Sequence, residues 1–286
     1  MKIQRRSQLD KIEFQEEYLY KNKPVIVVDG MNNWQAKDLW TPEYFIKNFG
    51  NEKVQVYDDL FNLINVTSLS TYFEKYFNRP ESPVSEVVPY VRWYTKFKEC
   101  NFVWADEVFD KLQNEWSMPY FIPTTNYVMP YCAYPNEVFP TNTPFPARGL
   151  FISARGARTR LHYDPWASDA ILCQMYGRKK ISIYSPSQKE YLYDGKACVD
   201  IDNPNFEVFP KFELAKPDYE DILEPGEIIL FPRGWLHHVV SISDSISLTW
   251  NFVHQSTCKS FVDYLIKGPS ANELDVIKWF FKKNQD

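Results

Sequence analysis

The chain has 286 residues, 44% of them apolar and 24% charged, with a formal net charge of −5 at pH 7. That length can bury a full core, the balance is that of a soluble globular protein, and the acidic excess argues against a dedicated nucleic-acid binder, which needs a basic face. Five cysteines, Cys100, Cys132, Cys173, Cys198 and Cys258, are scattered without a C-x-x-C pair, which points to a reduced compartment and not to a disulfide scaffold or zinc ribbon. The opening MKIQRRSQLDKIEF has no apolar stretch of a signal peptide, and no run reaches membrane-spanning length. A cytoplasmic protein with no membrane partner is therefore expected.

In chain order, the spacing of Leu9, Ile12, Phe14 and Tyr18 predicts a helix from Ser7 to about Leu19. PVIVVDG reads as a short strand ending in an Asp29-Gly30 turn. Thr41-Pro42-Glu43 opens a helix, with Thr as cap and Pro in the first turn, and Gly50 closes it as the residue free to turn left-handed. KVQVYD follows as a strand. Two further helices are expected at Ser68 to Phe77 and Trp104 to Trp116, set in and before a Pro- and Tyr-rich stretch, Pro80 to Pro146, that offers no clear period.

From Gly149 the pattern turns to strands. GLFISA, RLHYD, AILCQMYG, KKISIYS, EIILFP, HHVVSIS and ISLTWNFV are short, rich in β-branched residues and punctuated by Gly, Pro, Asp and Ser. So many short strands predict a sandwich or barrel. Helices are expected again at Ser256 to Ile266 and Ala271 to Lys282. The second carries Trp279, Phe280 and Phe281, more apolar surface than one helix face leaves bare, which suits either packing on the chain's own sheet or a homodimer contact. The whole is read as one domain over 1–286: an N-terminal helix-and-strand region to 148, a β core over 149–254, and C-terminal helices over 255–286.

The chemistry lies in four histidines: His162, His237, His238 and His254. His162-Tyr163-Asp164 sets an imidazole and a carboxylate two residues apart, so a strand sends both to one face. His237 opens a later strand. Two histidines and a carboxylate brought together occupy one face of an octahedron and leave three positions open, the arrangement of non-haem iron(II) oxygenases. Each motif alone is also what a surface pair or a capped turn produces. Strand alternation turns His238 away from His237, as a supporting or surface histidine, and His254 reads as structural. In Lys179-Lys180-Ile181-Ser182-Ile183 the two lysines must face opposite ways. One is solvated, and the other enters the core with the isoleucines, where an ammonium is costly unless it meets an anion. A dicarboxylate would be that anion; both lysines being wet at a strand end is the other reading.

Five ordered blocks, TRLHYDPW, YGRKKISIYSP, VDIDNPNFEVFPKF, EPGEIILFPRGWLHH and SLTWNF, resemble the JmjC (cupin-like) oxygenases, closest to the asparaginyl hydroxylase of hypoxia-inducible factor. The PVIVVDGMNNW block resembles the entry segment of that family. The resemblance implies a mainly β fold with peripheral helices, a double-stranded β-helix of jelly-roll type. It implies iron(II) on His162, Asp164 and His237, with 2-oxoglutarate and dioxygen as cosubstrates. It matches Lys179 to the lysine that grips the far carboxylate of 2-oxoglutarate, Thr159 and Tyr94 to supporting hydroxyls, and Asn251 to an amide on the cosubstrate or metal side.

Hydroxylation of a protein or peptide side chain, releasing succinate and carbon dioxide, is the expected reaction. In the family that the chain resembles, many lysine demethylases carry Glu at the third position of H-x-D and the protein hydroxylases carry Asp, so Asp164 implies hydroxylation over demethylation. An N-methyl demethylase, an RNA hydroxylase of the same fold and a non-catalytic metal-binding cupin are the alternatives. The target side departs from the asparaginyl hydroxylase: Gly195-Lys196 stand where that enzyme has Arg-Gln, and Ser168 where it has an amide. The substrate is not carried over.

Overall fold

The structure, a computed structural model, describes residues 1–80, 86–95, 105–129 and 148–268. The expected helix over 271–282, with Trp279, Phe280 and Phe281, lies outside the described residues. In the N-terminal part β1 (Arg5–Arg6) runs parallel to β2 (Val25–Val27). Between them a helix begins at Lys11, not Ser7, because Asp10 caps it by accepting from the backbone of Ile12 and Glu13. It widens into a π-helix over Phe14–Tyr20. The wider turn buries Phe14, Tyr18 and Leu19 together and leaves Ile12 67% exposed, which a regular period over 7–19 does not predict.

The helix Pro42–Phe49 starts as expected, with Thr41 accepting from Tyr44 N. Gly50 corrects the reading: its φ is −57°, right-handed. Glycine is needed there for space, since a Cβ would stand 2.2 Å from Ser70 Oγ and 2.4 Å from Ile46 O. Then come β3 (Lys53–Tyr57), β4 (Leu63–Ser68), the helix Leu69–Tyr76, β5 (Tyr90–Tyr94), the helix Asp106–Leu112 and β6 (Tyr127–Met129). β4, β5 and β6 were not legible as strands, and the helix expected from Trp104 is shorter than predicted.

The remaining strands are β7 (Arg148–Ser153), β8 (Arg158–His162), β9 (Asp169–Tyr176), β10 (Lys179–Tyr184), β11 (Tyr219–Leu223), β12 (Ile228–Phe231), β13 (Leu236–Ser241) and β14 (Ser245–His254), followed by the helix Cys258–Ile266. They form two sheets. The major one runs β1-β2-β12-β9-β14-β7-β5-β3-β4, with β6 beside β14, and the minor one runs β11-β10-β13-β8. The fold is mainly β with peripheral helices, a jelly-roll core as expected.

The two faces of the major sheet explain why its strands read as continuous apolar runs. Ile171, Cys173 and Met175 of β9 and Ile228 and Leu230 of β12 pack under the helices. Their alternates Ala170, Leu172, Ile229 and Phe231 meet Ile181, Ile183 and Val239 of the minor sheet. Period-two alternation is hidden because both faces are buried. On β14 the inter-sheet face carries Ser247, Thr249 and Asn251 between the apolar Leu248, Trp250 and Phe252. Polar residues aimed into a jelly roll mark where its interior opens into a site.

Candidate metal centre

His162 ends β8, and Asp164 two residues on is still extended, at φ −63°, ψ 144°. The alternation that sends both side chains one way survives although the ladder has ended. His237 is the direct cross-strand partner of His162. One nitrogen from each histidine and a carboxylate oxygen of Asp164 lie within 4.8 Å of one another, with His237 Nε2 3.8 Å from Asp164 Oδ2. Phe231 stacks on His237 at 4.3 Å, and Phe61 meets His162 edge-on at 5.0 Å.

The donor chemistry fits a metal ion. His162 Nδ1 donates to the Arg160 carbonyl at 2.8 Å, and His237 Nδ1 to the Trp235 carbonyl at 3.2 Å. A carbonyl only accepts, so each proton sits on Nδ1 and each Nε2 keeps its lone pair for the shared space. Burial, with a smaller push from His237, holds His162 well below the ordinary histidine range. Burial also lowers His237, against the opposing pull of Asp164. Neutral imidazoles are what a metal requires.

Lys179 of β10 points inward with Ile181 and Ile183, only 4% exposed. Its neighbour Lys180 faces out to Glu220, 3.2 Å away. No acidic side chain among the described residues pairs with Lys179, and burial alone brings its pKa down to about 7. Gly177 sets this register. At φ +70° it turns β9 into β10, and a Cβ there would stand 1.8 Å from the Asp244 carbonyl oxygen.

Lys179, Thr159, Asn251 and Tyr94 line the same cavity, about 740 Å³, as His162, Asp164 and His237, a size that suits a small organic ligand. Thr159 and His162 are three apart, so simple alternation would part them. A bulge brings both inward: His237 pairs with His162 but Val239 with Thr159, three steps on β8 for two on β13.

Sequence reasoning missed Arg92, whose guanidinium lies over Phe61, Tyr94 and Phe151 at 4.8–5.6 Å in the cavity wall. It also missed Phe61, held at φ +66° in a turn anchored on Asp58. Neither carries a local signal, because β5 and the turn reach the site only through sheet pairing. Lys196 lines the cavity from a tight turn in which Asp194 accepts from the backbone of Lys196 and Ala197. His238 faces away from His237, as alternation requires, but it is not at the surface: it is 4% exposed, with Nε2 3.5 Å from Asp202 Oδ2. Asp202 and Asp59 both hold Arg158, at 2.8 Å each. His254 packs edge-on against Tyr127 and bonds Ser256, a structural role. Cys173, Cys198 and Cys258 are free thiols. Among the described residues no helix is long and apolar enough to cross a membrane.

A family profile described as a cupin-like domain matches residues 11–258. The chain is 29% identical over 92% of its length to a protein of Arabidopsis thaliana named arginine-specific demethylase JMJ20. It is 23% identical over 95% of its length to the 2-oxoglutarate and iron-dependent oxygenase JMJD4 of Gallus gallus. It spans 59% and 66% of these two relatives. The tRNA wybutosine-synthesizing protein 5 of Homo sapiens is 24% identical over 89% of this chain and 80% of the relative.

Proposed function

The chain belongs to the cupin-like domain family, and from that premise we propose that it is an iron(II)- and 2-oxoglutarate-dependent oxygenase hydroxylating a protein or peptide side chain. The observation that carries this is the buried Lys179, without an acidic partner among the described residues, in the cavity that His162, Asp164 and His237 also line. In this reading His162, Asp164 and His237 hold iron(II) on one side of its coordination sphere. Lys179 holds the far carboxylate of 2-oxoglutarate as a compact point charge with three donors. Thr159 and Tyr94 flank it with hydroxyls, and Asn251 stands on the metal side. Bound iron, 2-oxoglutarate and dioxygen supply the oxidising power: one oxygen atom enters a substrate C–H bond, the other enters succinate, and carbon dioxide leaves. Phe231 and Phe61 wall the two histidines with apolar surface and limit water.

The domain division is part of the proposal. The strands β1 to β6 of the 1–148 region extend the major sheet, an arrangement supported by the pairing of β5 with β7. A cytoplasmic setting agrees with the free thiols. The likeness to the asparaginyl hydroxylase is kept to the cosubstrate half, because Gly195-Lys196 and Ser168 replace its target-side residues.

The test is succinate formation from 2-oxoglutarate by the purified chain with iron(II), followed by mass spectrometry of extract proteins and peptides for added oxygen. Turnover that survives in Asp164→Ala would sink the reading. A second reading, N-methyl demethylation, is favoured by the name of the Arabidopsis relative; formaldehyde released in step with succinate would select it. Action on RNA has the wybutosine relative in its favour and the acidic charge balance against it.

A further inference from the structure

The turn that follows Asp164 is strained and pinned. Trp166 and Ala167 sit at φ +64° and +48°, two successive non-glycine residues in the left-handed region, a pairing that persists only where the surroundings enforce it. Ser168 enforces it here. Its backbone N–H and its hydroxyl both donate to the Pro165 carbonyl, at 3.2 and 2.8 Å. Its oxygen in turn accepts from Asn251 Nδ2 at 3.2 Å. Asn251 is fixed in the middle of β14, opposite Ala170 of β9.

Ser168 is 0% exposed and does not line the cavity. Its single proton is already given to Pro165, so it has none to offer a ligand. We infer that Ser168, relayed from Asn251, is a positioning residue: it clamps the strained Pro165–Ala167 turn and so aims the Asp164 carboxylate at the space between His162 and His237. This inference rests on the metal-centre reading. It assigns to Ser168 work on the ligand's backbone and none on the cosubstrate.

The physical logic is a tethered spring. Left-handed Trp166 and Ala167 would relax toward right-handed or extended backbone if the grip on the Pro165 carbonyl were reduced to the longer backbone N–H bond alone. Asp164 adjoins that peptide, so its carboxylate would swing with it. Outer partners of this kind tune metal affinity by about 10–100-fold.

The experiment titrates manganese(II), a redox-silent probe, into the full chain and reads bound ion by electron paramagnetic resonance. Asp164→Ala serves as the control. Ser168→Ala should weaken manganese binding by about 10–100-fold, while 2-oxoglutarate affinity at saturating metal stays that of the parent. Adding Ala167→Gly to Ser168→Ala should recover part of the affinity, because glycine removes one of the two strained positions. Circular dichroism establishes that each variant is folded. Unchanged manganese affinity in folded Ser168→Ala overturns the inference, as does a loss confined to 2-oxoglutarate. If Ser168→Ala does not fold, Ala167→Gly in the parent decides: stabilisation with unchanged metal affinity supports the clamp, and weakened metal affinity overturns it. Equal manganese binding by the parent and Asp164→Ala would instead remove the metal-centre reading itself.

Discussion

His162 and His237 face each other across the β8–β13 ladder with ring centroids 4.2 Å apart. Both Nδ1 protons go to backbone carbonyls two residues earlier in the chain. The strands thus dictate the tautomer as well as the position of each ring. An ion held between them and Asp164 ties β8, β13 and the following turn together. Manganese(II) or iron(II) under anaerobic conditions should raise the Tm of the parent by an amount that grows with the logarithm of metal concentration. In Asp164→Ala the shift should vanish; scanning fluorimetry measures both.

Lys179 makes 2-oxoglutarate binding pH-dependent. In the diacid-free protein its pKa is about 7, so binding the dianion takes up a proton at higher pH. The apparent KM for 2-oxoglutarate should rise as pH passes 7, approaching about tenfold per pH unit. Lys179→Ala should lose about 3 kcal/mol of cosubstrate binding, roughly 100-fold in KM, and flatten the profile. Succinate assays across pH 6.5–9, a range that brackets the Lys179 value of about 7, are the check.

The same lysine should cost stability when nothing occupies the cavity. Its folded pKa lies below the ordinary 10.5, so between pH 7 and 10.5 the unfolded chain binds more protons than the folded one. Stability then rises with pH through that window. Lys179→Met should raise Tm by several degrees at pH 7, with the gain over the parent shrinking toward pH 10. A variant that is less stable than the parent at pH 7 would contradict the burial of an uncompensated ammonium.

Gly177→Ala should destabilise the fold by about 2 kcal/mol or more, since it adds left-handed strain to a clash with the Asp244 carbonyl. The displaced turn should also shift Lys179. Urea unfolding gives the first quantity, and the KM for 2-oxoglutarate the second. Loss of stability without a change in KM would show that β10 keeps its register independently of the turn.

Arg158 links Asp59, beside the Phe61 turn, to Asp202 on the segment after β10. Arg158→Met leaves Asp59 and Asp202 without the guanidinium they share. It should lower stability by about 2–3 kcal/mol and speed proteolysis at the 58–62 and 198–205 segments. Limited proteolysis with mass mapping locates the cuts.

Much of this molecule was written locally. Alternation in Lys179-Lys180-Ile181-Ser182-Ile183 told that one lysine goes in, and pairing shows it to be Lys179. H-x-D predicted two side chains on one face, and both meet the same space. Such features need only the two-residue period of a strand, which any extended chain obeys. The acidic YEDIL of β11, the two-residue β1 and the Pro-flanked YVRWY of β5 gave no such signal. Their strands form because a neighbour presents unpaired backbone groups, a cause that lies far off in the chain. The bulge that turns Thr159 inward, the packing that demands Gly50, the arrival of Arg92 and Phe61 beside His162, and the clamp of Ser168 on the turn after Asp164 are likewise products of assembly. Residue type and spacing determine which groups can ligate or carry charge; which of them share a cavity is decided when distant strands pair and their side chains compete for the same volume.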